Sequence, residues 1–326
     1  MGIIEFKNVT KSFYINEREK FIDYFNFSKK KKKIEAIKDV SFDIKEGETV
    51  GIIGLNGAGK STLIKMMTGI LLNSSGEISV LGNNPFDKRM ENNINIATVF
   101  GQRCKLRWDV SPLESYYLIK DLYKVNDHDF NSKLNELKNV LNMDKFINNP
   151  VRTLSLGQKM KSELAGALLY DPKIIFLDEP TIGLDILTKE SILEFLKRIK
   201  GKTTIILTSH DFEDIEKLCD RIIIIDNGKV IKDCNSEDIV NIYNKEKIEV
   251  ELSEEKIYCF IEELESMDVK FDVNDKILTI DKEDLNKDNV KALFTKNLTY
   301  IKHLSTNKLS FKEALKYFLR TKVNYE

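Results

Sequence analysis

A glycine-rich stretch near residue 60 contains the residue types that bind a polyphosphate. Residues 54–62 read Gly-Leu-Asn-Gly-Ala-Gly-Lys-Ser-Thr, between apolar runs at 50–53 and 63–67. The glycines let the backbone curl so that successive N–H groups point at one anion, and a helix beginning here directs its positive end to the same place. Lys60 would reach the outer phosphates and Ser61 would bind Mg²⁺. The alternative is a glycine-rich turn with a solvated lysine, but the strand before and the helix after favour a phosphate-binding loop.

Two adjacent carboxylates follow a nearly continuous apolar run at residues 173–177, which is typical of a parallel strand covered on both faces. Asp178 and Glu179 would therefore lie at the carboxyl end of a core strand, where ligands of open α/β sheets gather. A natural division of roles has one carboxylate hold Mg²⁺ through water while the other acts as general base.

Two further polar side chains are predicted at the same edge of the sheet. Gln102 follows the strand predicted at residues 96–100, and His210 follows the strand predicted at 203–209. A glutamine there could touch a metal-bound or attacking water, or it could simply cap the strand. A single histidine is more often a structural residue, but its place at the end of a core strand favours a role in the site.

A second anion site is predicted where Leu-Ser-Leu-Gly-Gln, residues 154–158, leads into a helix that closes at Asp171-Pro172. Ser155 would lie at the helix N-terminus beside free backbone amides, an arrangement that binds anions. By itself, the same serine is also a good N-cap.

The N-terminal region contains an aromatic residue and a lysine run, each with two interpretations. Phe13 lies in a loop predicted after a first strand at residues 3–9, where it could stack on a base or cover a sheet edge. A polar insert over about 16–34 ends in five lysines, residues 29–33, which usually form a solvated loop. Contact with an anionic membrane surface is the alternative.

The remaining pattern completes an alternating α/β chain. Residues 112–141 show helical spacing, and Asn227-Gly228 predicts a two-residue hairpin after the last apolar strand. Further strands are predicted at 40–44, 49–53, 77–81 and 222–226.

Length and composition limit the class of protein. The chain has 326 residues, 42% of them hydrophobic, which suffices for one large domain and a smaller one. Its four cysteines show no metal or disulfide spacing, so we expect reduced thiols in a cytosolic protein. We expect neither a signal peptide nor a membrane span. The net charge of −1 gives the whole chain no nucleic-acid footprint.

A change in composition predicts a domain boundary near Asn241. All 15 glycines and all 5 prolines lie at or before Gly228. The tail shows no chemical motif and is predicted as a small α+β unit, with strands at 248–252, 269–280 (a hairpin) and 299–304 and helices at 254–265, 289–294 and 311–319.

With these stretches in order, the chain resembles the ATP-binding subunit of ABC transporters over about residues 2–240. Phe13 falls where that family has its adenine-stacking aromatic. Leu156 departs from the commonest signature, which has a second glycine there. The motifs that carry the resemblance are Walker A (54–62), the Q-loop (Gln102), the signature (154–158), Walker B with its glutamate (174–179), the D-loop (182–185) and the switch histidine (His210).

The resemblance implies a particular architecture. It predicts an α/β fold, a P-loop NTPase cassette of the ABC type over residues 1–240. Its parallel core sheet would carry an antiparallel β subdomain and a helical insertion at about 103–170. A small α+β C-terminal domain would follow at 241–326.

The resemblance also implies a function: ATP hydrolysis, with ATP and Mg²⁺, that powers transport through a separate membrane permease. The protein would lie in the cytoplasm, on the inner face of the plasma membrane through that permease. ATP would close a head-to-tail dimer, a homodimer or pseudo-homodimer, in which each nucleotide lies between Walker A of one subunit and the signature of the other. No nucleic acid is expected as a partner.

The same resemblance assigns residues to roles. The catalytic set would be Glu179, His210 and Gln102. The metal ligands would be Ser61, Gln102 and Asp178. Nucleotide contacts would come from Phe13, Gly54, Asn56, Gly57, Ala58, Gly59, Lys60, Ser61, Thr62, Ser155, Gly157, Gln158 and Asp185.

More narrowly, the chain is similar to bacterial exporters of the viologen, sodium or drug-efflux type at residues 99–103, 108–109 and 155–158, followed by 176–185.

Other classes of nucleotide-binding protein fit less well. A GTPase is disfavoured because its guanine motif is missing, and a kinase gives no reason for residues 154–158. Soluble ABC proteins of DNA repair have long coiled coils between Walker A and the signature, whereas roughly a hundred residues separate these motifs here. ABC proteins of translation have two cassettes in one chain, and this chain has one. A soluble ABC-type ATPase that regulates a non-transport process is the remaining alternative, and a regulator without turnover would not need Glu179 and His210.

Overall fold

The computed structural model describes most of the chain and divides it into two compact units, Met1–Asn235 and Ser236–Glu326. The division precedes the boundary predicted near Asn241, because the helix Ser236–Ile242 packs against the final helix of the second unit. The described residues are 2–16, 31–101, 104–242, 246–253, 256–267, 269, 271–274 and 276–323.

The first unit is an alternating α/β structure. In chain order its elements are β1 (Ile4–Asn16), β2 (Lys31–Ile44), β3 (Thr49–Ile53), α1 (Lys60–Met67), β4 (Ser75–Val80), α2 (Arg89–Asn93), β5 (Ile96–Phe100), α3 (Pro112–Tyr123), α4 (Asp127–Val140), α5 (Leu156–Leu168), β6 (Ile174–Asp178), α6 (Ile186–Ile199), β7 (Thr204–Thr208), α7 (Phe212–Leu218), β8 (Arg221–Asp226) and β9 (Lys229–Asn235).

A six-stranded sheet with the order β5-β6-β7-β3-β8-β9 forms the centre of this unit. Its first five strands are parallel and β9 pairs antiparallel with β8. The register pairs Asp178 with Thr208 and Thr208 with Ile52. Because these residues lie at or next to the carboxyl ends of their strands, β6, β7 and β3 end at one common edge, which carries the candidate site.

A three-stranded antiparallel sheet, β2-β1-β4, lies beside this core. The prediction of a loop around Phe13 is wrong, because β1 continues to Asn16. The prediction of a loop at the lysine run is also wrong for Lys31 to Lys33, which belong to β2. Register shifts near Val9 and Lys11 break the alternation of buried and exposed residues, which hides the strand in the sequence. Lys29 and Lys30 lie outside the described residues.

The segment between β5 and β6 is helical, as the spacing predicts, and contains α3, α4 and α5. Ser111 and Glu114 form a capping box at the start of α3. The buried Tyr116 donates its hydroxyl to the carbonyl of Ser162, 2.9 Å away, which joins α3 to α5. These contacts hold the helices as one layer beside β5.

The second unit has its own core. A sheet with the order β11 (Phe271–Asn274), β12 (Ile277–Asp281), β10 (Glu246–Leu252) and β13 (Ile301–Lys308) packs Val250 and Leu278 in an apolar cluster with Phe260. No helix in the described parts of the chain is long and apolar enough to cross a membrane. The elements are α8 (Ser236–Ile242), β10 (Glu246–Leu252), α9 (Ile257–Ser266), β11 (Phe271–Asn274), β12 (Ile277–Asp281), α10 (Lys282–Leu285), α11 (Asp288–Lys296), β13 (Ile301–Lys308) and α12 (Phe311–Val323).

Deletion of residues 236–326 is expected to leave a first unit that folds by itself, because each unit buries a separate apolar cluster. The truncated protein should show one cooperative thermal transition by circular dichroism. Aggregation without a cooperative transition would show instead that the first unit needs the second for its core.

Candidate nucleotide-binding site

The loop between β3 and α1 has the backbone of an anion site. Gly59 lies immediately before α1 with φ of 115°, and no side chain caps the helix. A Cβ at Gly59 would lie 2.6 Å from the side chain of Ile37, so only glycine fits there. Gly57 also has a positive φ and faces open space. The N-terminal amides of α1 are therefore left uncapped by any side chain, in a loop with room for a ligand.

Lys60 is a buried cation that curls back over this loop. Its side chain is buried, and its Nζ donates to the carbonyl oxygens of Gly54 at 2.6 Å and Leu55 at 3.1 Å. Burial lowers the pKa of Lys60, and the nearby carboxylates of Glu179 and Asp178 oppose that shift. An anion in the loop would stabilise this charge directly.

Asp178 ends β6 and is oriented by its neighbours. Its Oδ1 accepts a hydrogen bond from the hydroxyl of Thr208 at 2.5 Å, and its backbone oxygen accepts from the amide of Gly101 at 2.9 Å. The side chain of Thr208 thus orients one carboxylate oxygen, while Gly101 holds the backbone, which leaves the other carboxylate oxygen for a ligand.

Glu179 and His210 form a pair at the same edge. The Oε1 of Glu179 lies 2.5 Å from Nε2 of His210, and both side chains are partly exposed. Glu179 has φ of 54°, a left-handed conformation that costs about 1–2 kcal/mol in a residue with a side chain. Its amide donates to the carbonyl of Thr208 at 3.0 Å, which helps to hold that conformation. A carboxylate and an imidazole at this distance can share and move a proton.

Ser155 belongs to a second cluster at the N-termini of α5 and α6. Its hydroxyl accepts from the amide of Gln158 at 3.3 Å, and the Gln158 side chain accepts from the amide of Ser155 at 3.0 Å. Asp185 caps α6 by accepting from the amide of Thr188 at 3.0 Å. A Cβ at Gly157 would lie 2.5 Å from the methyl of Thr188, so the two helix starts pack closely.

The remaining predicted residues have varied positions. Phe13 is 38% exposed on β1, with Nζ of Lys11 5.1 Å from its ring centre. Asn56 and Ser61 are exposed in or just after the loop, and Thr62 is half-buried. Gln102 lies outside the described residues. The structure thus brings Lys60, Asp178, Glu179 and His210 to one sheet edge and places Ser155, Gly157, Gln158 and Asp185 in the second cluster.

Sequence reasoning missed a supporting network beneath His210. The fully buried Asp214 accepts from the hydroxyls of Thr181 and Ser209 and pairs with Lys189 at 2.9 Å. Thr181 follows Glu179 closely and Ser209 directly precedes His210. The only signal in the sequence was an aspartate in a short helix, and that does not distinguish a buried carboxylate from a solvated one.

The comparisons with known proteins agree with this geometry. The ABC transporter family model matches residues 37–182. The ABC transporter ATP-binding protein NatA of Bacillus subtilis is 37% identical over 206 residues, which cover 63% of this chain and 84% of NatA. The Nod factor export ATP-binding protein I of Rhizobium etli is 29% identical over 273 residues, covering 76% of this chain and 85% of that protein.

A solved structure shows the same fold. The ATP-binding cassette MJ0796, a dimer in a post-hydrolysis state with ADP and Pi, superposes with a TM-score of 0.60 at 28% identity, over 71% of this chain and 98% of that one. The chain therefore belongs to the ATP-binding proteins of the ABC transporter family, and it is an ATP-hydrolysing transporter subunit with a P-loop ABC cassette.

Proposed function

We propose that this subunit hydrolyses ATP at the β6–β7 edge and uses the energy to drive export through a separate membrane permease. The observation that carries the proposal is the Glu179–His210 pair, because it places a proton acceptor at the edge where the phosphate loop opens. A protein that only bound ATP would have no use for such a pair.

In this proposal each residue at the edge has one task. The amides of the loop and Lys60 bind the triphosphate. Glu179 removes the proton from the attacking water, and His210 keeps its carboxylate oriented through the 2.5 Å contact. Phe13, whose side chain is 38% exposed, stacks on the adenine.

Mg²⁺ fits the oxygen donors that are present. Mg²⁺ prefers oxygen ligands and usually binds one or two carboxylates with substrate phosphates. Ser61 offers an exposed hydroxyl, and Asp178 offers a carboxylate with one oxygen fixed by Thr208. We assign these two residues to the metal, together with Gln102, which the sequence predicts. When bound, Mg²⁺ would neutralise charge on the phosphates.

A second copy would complete the site. Ser155 is exposed at the start of a 13-residue helix, so that helix end is open to an anion from outside. We propose that two subunits pack head to tail, so that Ser155 and the amides near Gly157 reach the ATP held by the partner. The related cassette MJ0796 was solved as a dimer, which supports this arrangement.

A groove on the first unit suits a permease segment. The cavity holds about 460 Å³ and has apolar walls from β5, α3 and α5. Leu118 and Leu122 on its rim are 41% and 69% exposed, which is costly for apolar side chains unless a partner covers them. We propose that a helix of the permease docks here and holds the subunit on the inner face of the plasma membrane. Export is favoured because relatives include a Nod factor export protein and a linearmycin resistance protein.

The docking proposal predicts that Leu118→Glu/Leu122→Glu releases the subunit from its permease without loss of ATP binding. The two charges would be buried against the partner's apolar face. The tagged chain, purified from native membranes, should bring down a polytopic protein, and the double variant should not. Leu298→Glu, at a 60% exposed leucine of the second unit, is the matched control. Equal recovery of the permease with the double variant would place the docking surface elsewhere.

Gly101→Ala should lower ATP turnover about tenfold or more, because the new Cβ would lie 1.9 Å from the backbone oxygen of Glu179. Even a displacement of 1 Å can cost about 100-fold in rate. Gly82→Ala is the control for a strained glycine replacement without a steric clash, since Gly82 has a φ of 78° but its Cβ would meet nothing within 4 Å. Steady-state MgATP hydrolysis measures both, and unchanged turnover in Gly101→Ala would contradict the assigned position of Glu179.

A further inference from the structure

A buried carboxylate in the middle of α5 has no part in the site described above. Glu163 is 6% exposed, and its Oε1 alone accepts three hydrogen bonds. The donors are the thiol of Cys104 at 3.0 Å, the amide of Lys105, and the amide of Leu106 at 2.8 Å. One carboxylate oxygen thus holds residues 104–106 against α5.

The thiol of Cys104 remains a hydrogen-bond donor to this carboxylate. Burial, together with the hydrogen bond to Glu163, raises the pKa of Cys104 to about 12, so the thiol keeps its proton and remains a donor. Hydrogen bonds from backbone amides to a charged carboxylate are shorter and stronger than those between neutral groups. These hydrogen bonds therefore hold residues 104–106 against α5.

The hydrogen bonds of Glu163 connect the helix that follows Ser155 to the segment that follows β5. The helix that carries Glu163 begins beside Ser155, and the segment it holds starts three positions after Gly101. Gly101 is buried at the end of β5, donates to the backbone oxygen of Asp178 at 2.9 Å, and packs tightly against Glu179. The same segment also lines the 460 Å³ groove.

We propose that Glu163 is a positioning residue for ATP hydrolysis. By fixing residues 104–106 on α5, it keeps Gly101, at the end of β5, in place against Asp178 and Glu179. Movement of α5 is thereby transmitted to the catalytic edge and to the groove. The inference rests on the proposed roles of Glu179 and of the Ser155 helix.

A positioning role and a merely structural role predict different kinetics. If Glu163 only stabilises the fold, its loss lowers the melting temperature, while kcat per folded molecule and KM stay unchanged. If it positions the edge, kcat falls although ATP still binds to the phosphate loop. Glutamine retains a carbonyl oxygen that can accept from the two amides, so Glu163→Gln should rescue most of the activity that Glu163→Leu loses.

The experiment measures steady-state MgATP hydrolysis by the full chain below the melting temperature of each variant. Glu163→Leu should lower kcat about tenfold or more with KM for ATP within about twofold, as expected for a displaced catalytic group. Glu163→Gln should keep kcat within about threefold of the unchanged chain. Glu194→Leu, at an exposed glutamate of α6, is the matched control and should have no effect. Hydrogen exchange should show the amides of Lys105 and Leu106 protected with Glu163 and released in the leucine variant.

Trp108 reports whether the leucine variant stays locally folded. It is the only tryptophan of the chain, and it is held by Lys159, 4.6 Å from its ring centre, and by the amide of Arg152, 3.0 Å from its carbonyl oxygen. Its emission should therefore be unchanged. Cys104→Ala, which removes one donor and leaves the carboxylate in place, gives an independent test with a smaller fall in kcat at constant KM.

Two results would overturn the inference: kcat unchanged in both Glu163→Leu and Cys104→Ala, or an equal fall in kcat in Glu163→Gln and Glu163→Leu. Either result would leave the proposed function intact provided that Glu179→Gln still abolishes turnover. Normal turnover in Glu179→Gln would instead remove the proposed catalytic role of Glu179, on which this inference rests.

Discussion

Glu179→Gln is expected to hydrolyse MgATP about 100- to 10,000-fold more slowly than the unchanged chain, which is the range that general-base catalysis contributes. Glutamine keeps the shape of the side chain and can still hydrogen-bond to His210, but it cannot accept a proton from water. ATP binding should survive, because Lys60, Ser61 and Asp178 are unchanged. Single-turnover hydrolysis, measured beside equilibrium binding of ATP, separates the two effects.

The matched control for this variant is Glu194→Gln on the exposed face of α6, which makes the same chemical change away from the site. Its turnover should equal that of the unchanged chain. Turnover in Glu179→Gln within threefold of the control would show that another group removes the proton.

Lys60→Ala should weaken ATP binding by about 30- to 4,000-fold. Loss of one partner of a buried charge pair costs about 2–5 kcal/mol, and each 1.4 kcal/mol is a factor of ten in affinity. Lys60 is 7% exposed and already faces two carboxylates, so without it the triphosphate would enter a site of negative charge. Equilibrium binding of a fluorescent ATP analogue measures the loss.

Lys65→Ala provides the comparison, because Lys65 is an exposed lysine on the same helix. It should bind ATP like the unchanged chain. If both variants bound equally well, the phosphate-loop assignment would be wrong.

Much of the fold could be predicted because its signals are local. The apolar runs before Gly54, Asp178 and His210 are parallel core strands, as predicted, and Asn227-Gly228 turns between β8 and β9 with positive φ at both residues. A strand that is buried on both faces is apolar at every position, so its run of apolar residues can be recognised in the sequence without knowing which strands lie beside it.

Features that depend on distant partners were not predicted. β1 runs on past Phe13 because it pairs with β2 across register shifts, and those shifts erase the period-two pattern. The positions of Glu163 and Asp214 could not be foreseen either. Each is a carboxylate in a helix, and only tertiary packing decides that it is buried against donors from other elements.

We propose that ATP closes two copies of this chain through Ser155. Light scattering of Glu179→Gln at saturating MgATP tests it most directly, with the same protein carrying Ser155→Arg beside it and ADP as the nucleotide control. For Glu179→Gln with ATP we expect twice the 37.7 kDa chain mass. We expect the monomer mass with ADP, and the monomer mass with ATP once Ser155→Arg is added, because the arginine places bulk at the partner's γ-phosphate. A monomeric Glu179→Gln protein at saturating ATP, or a dimer that persists with Ser155→Arg, would contradict it.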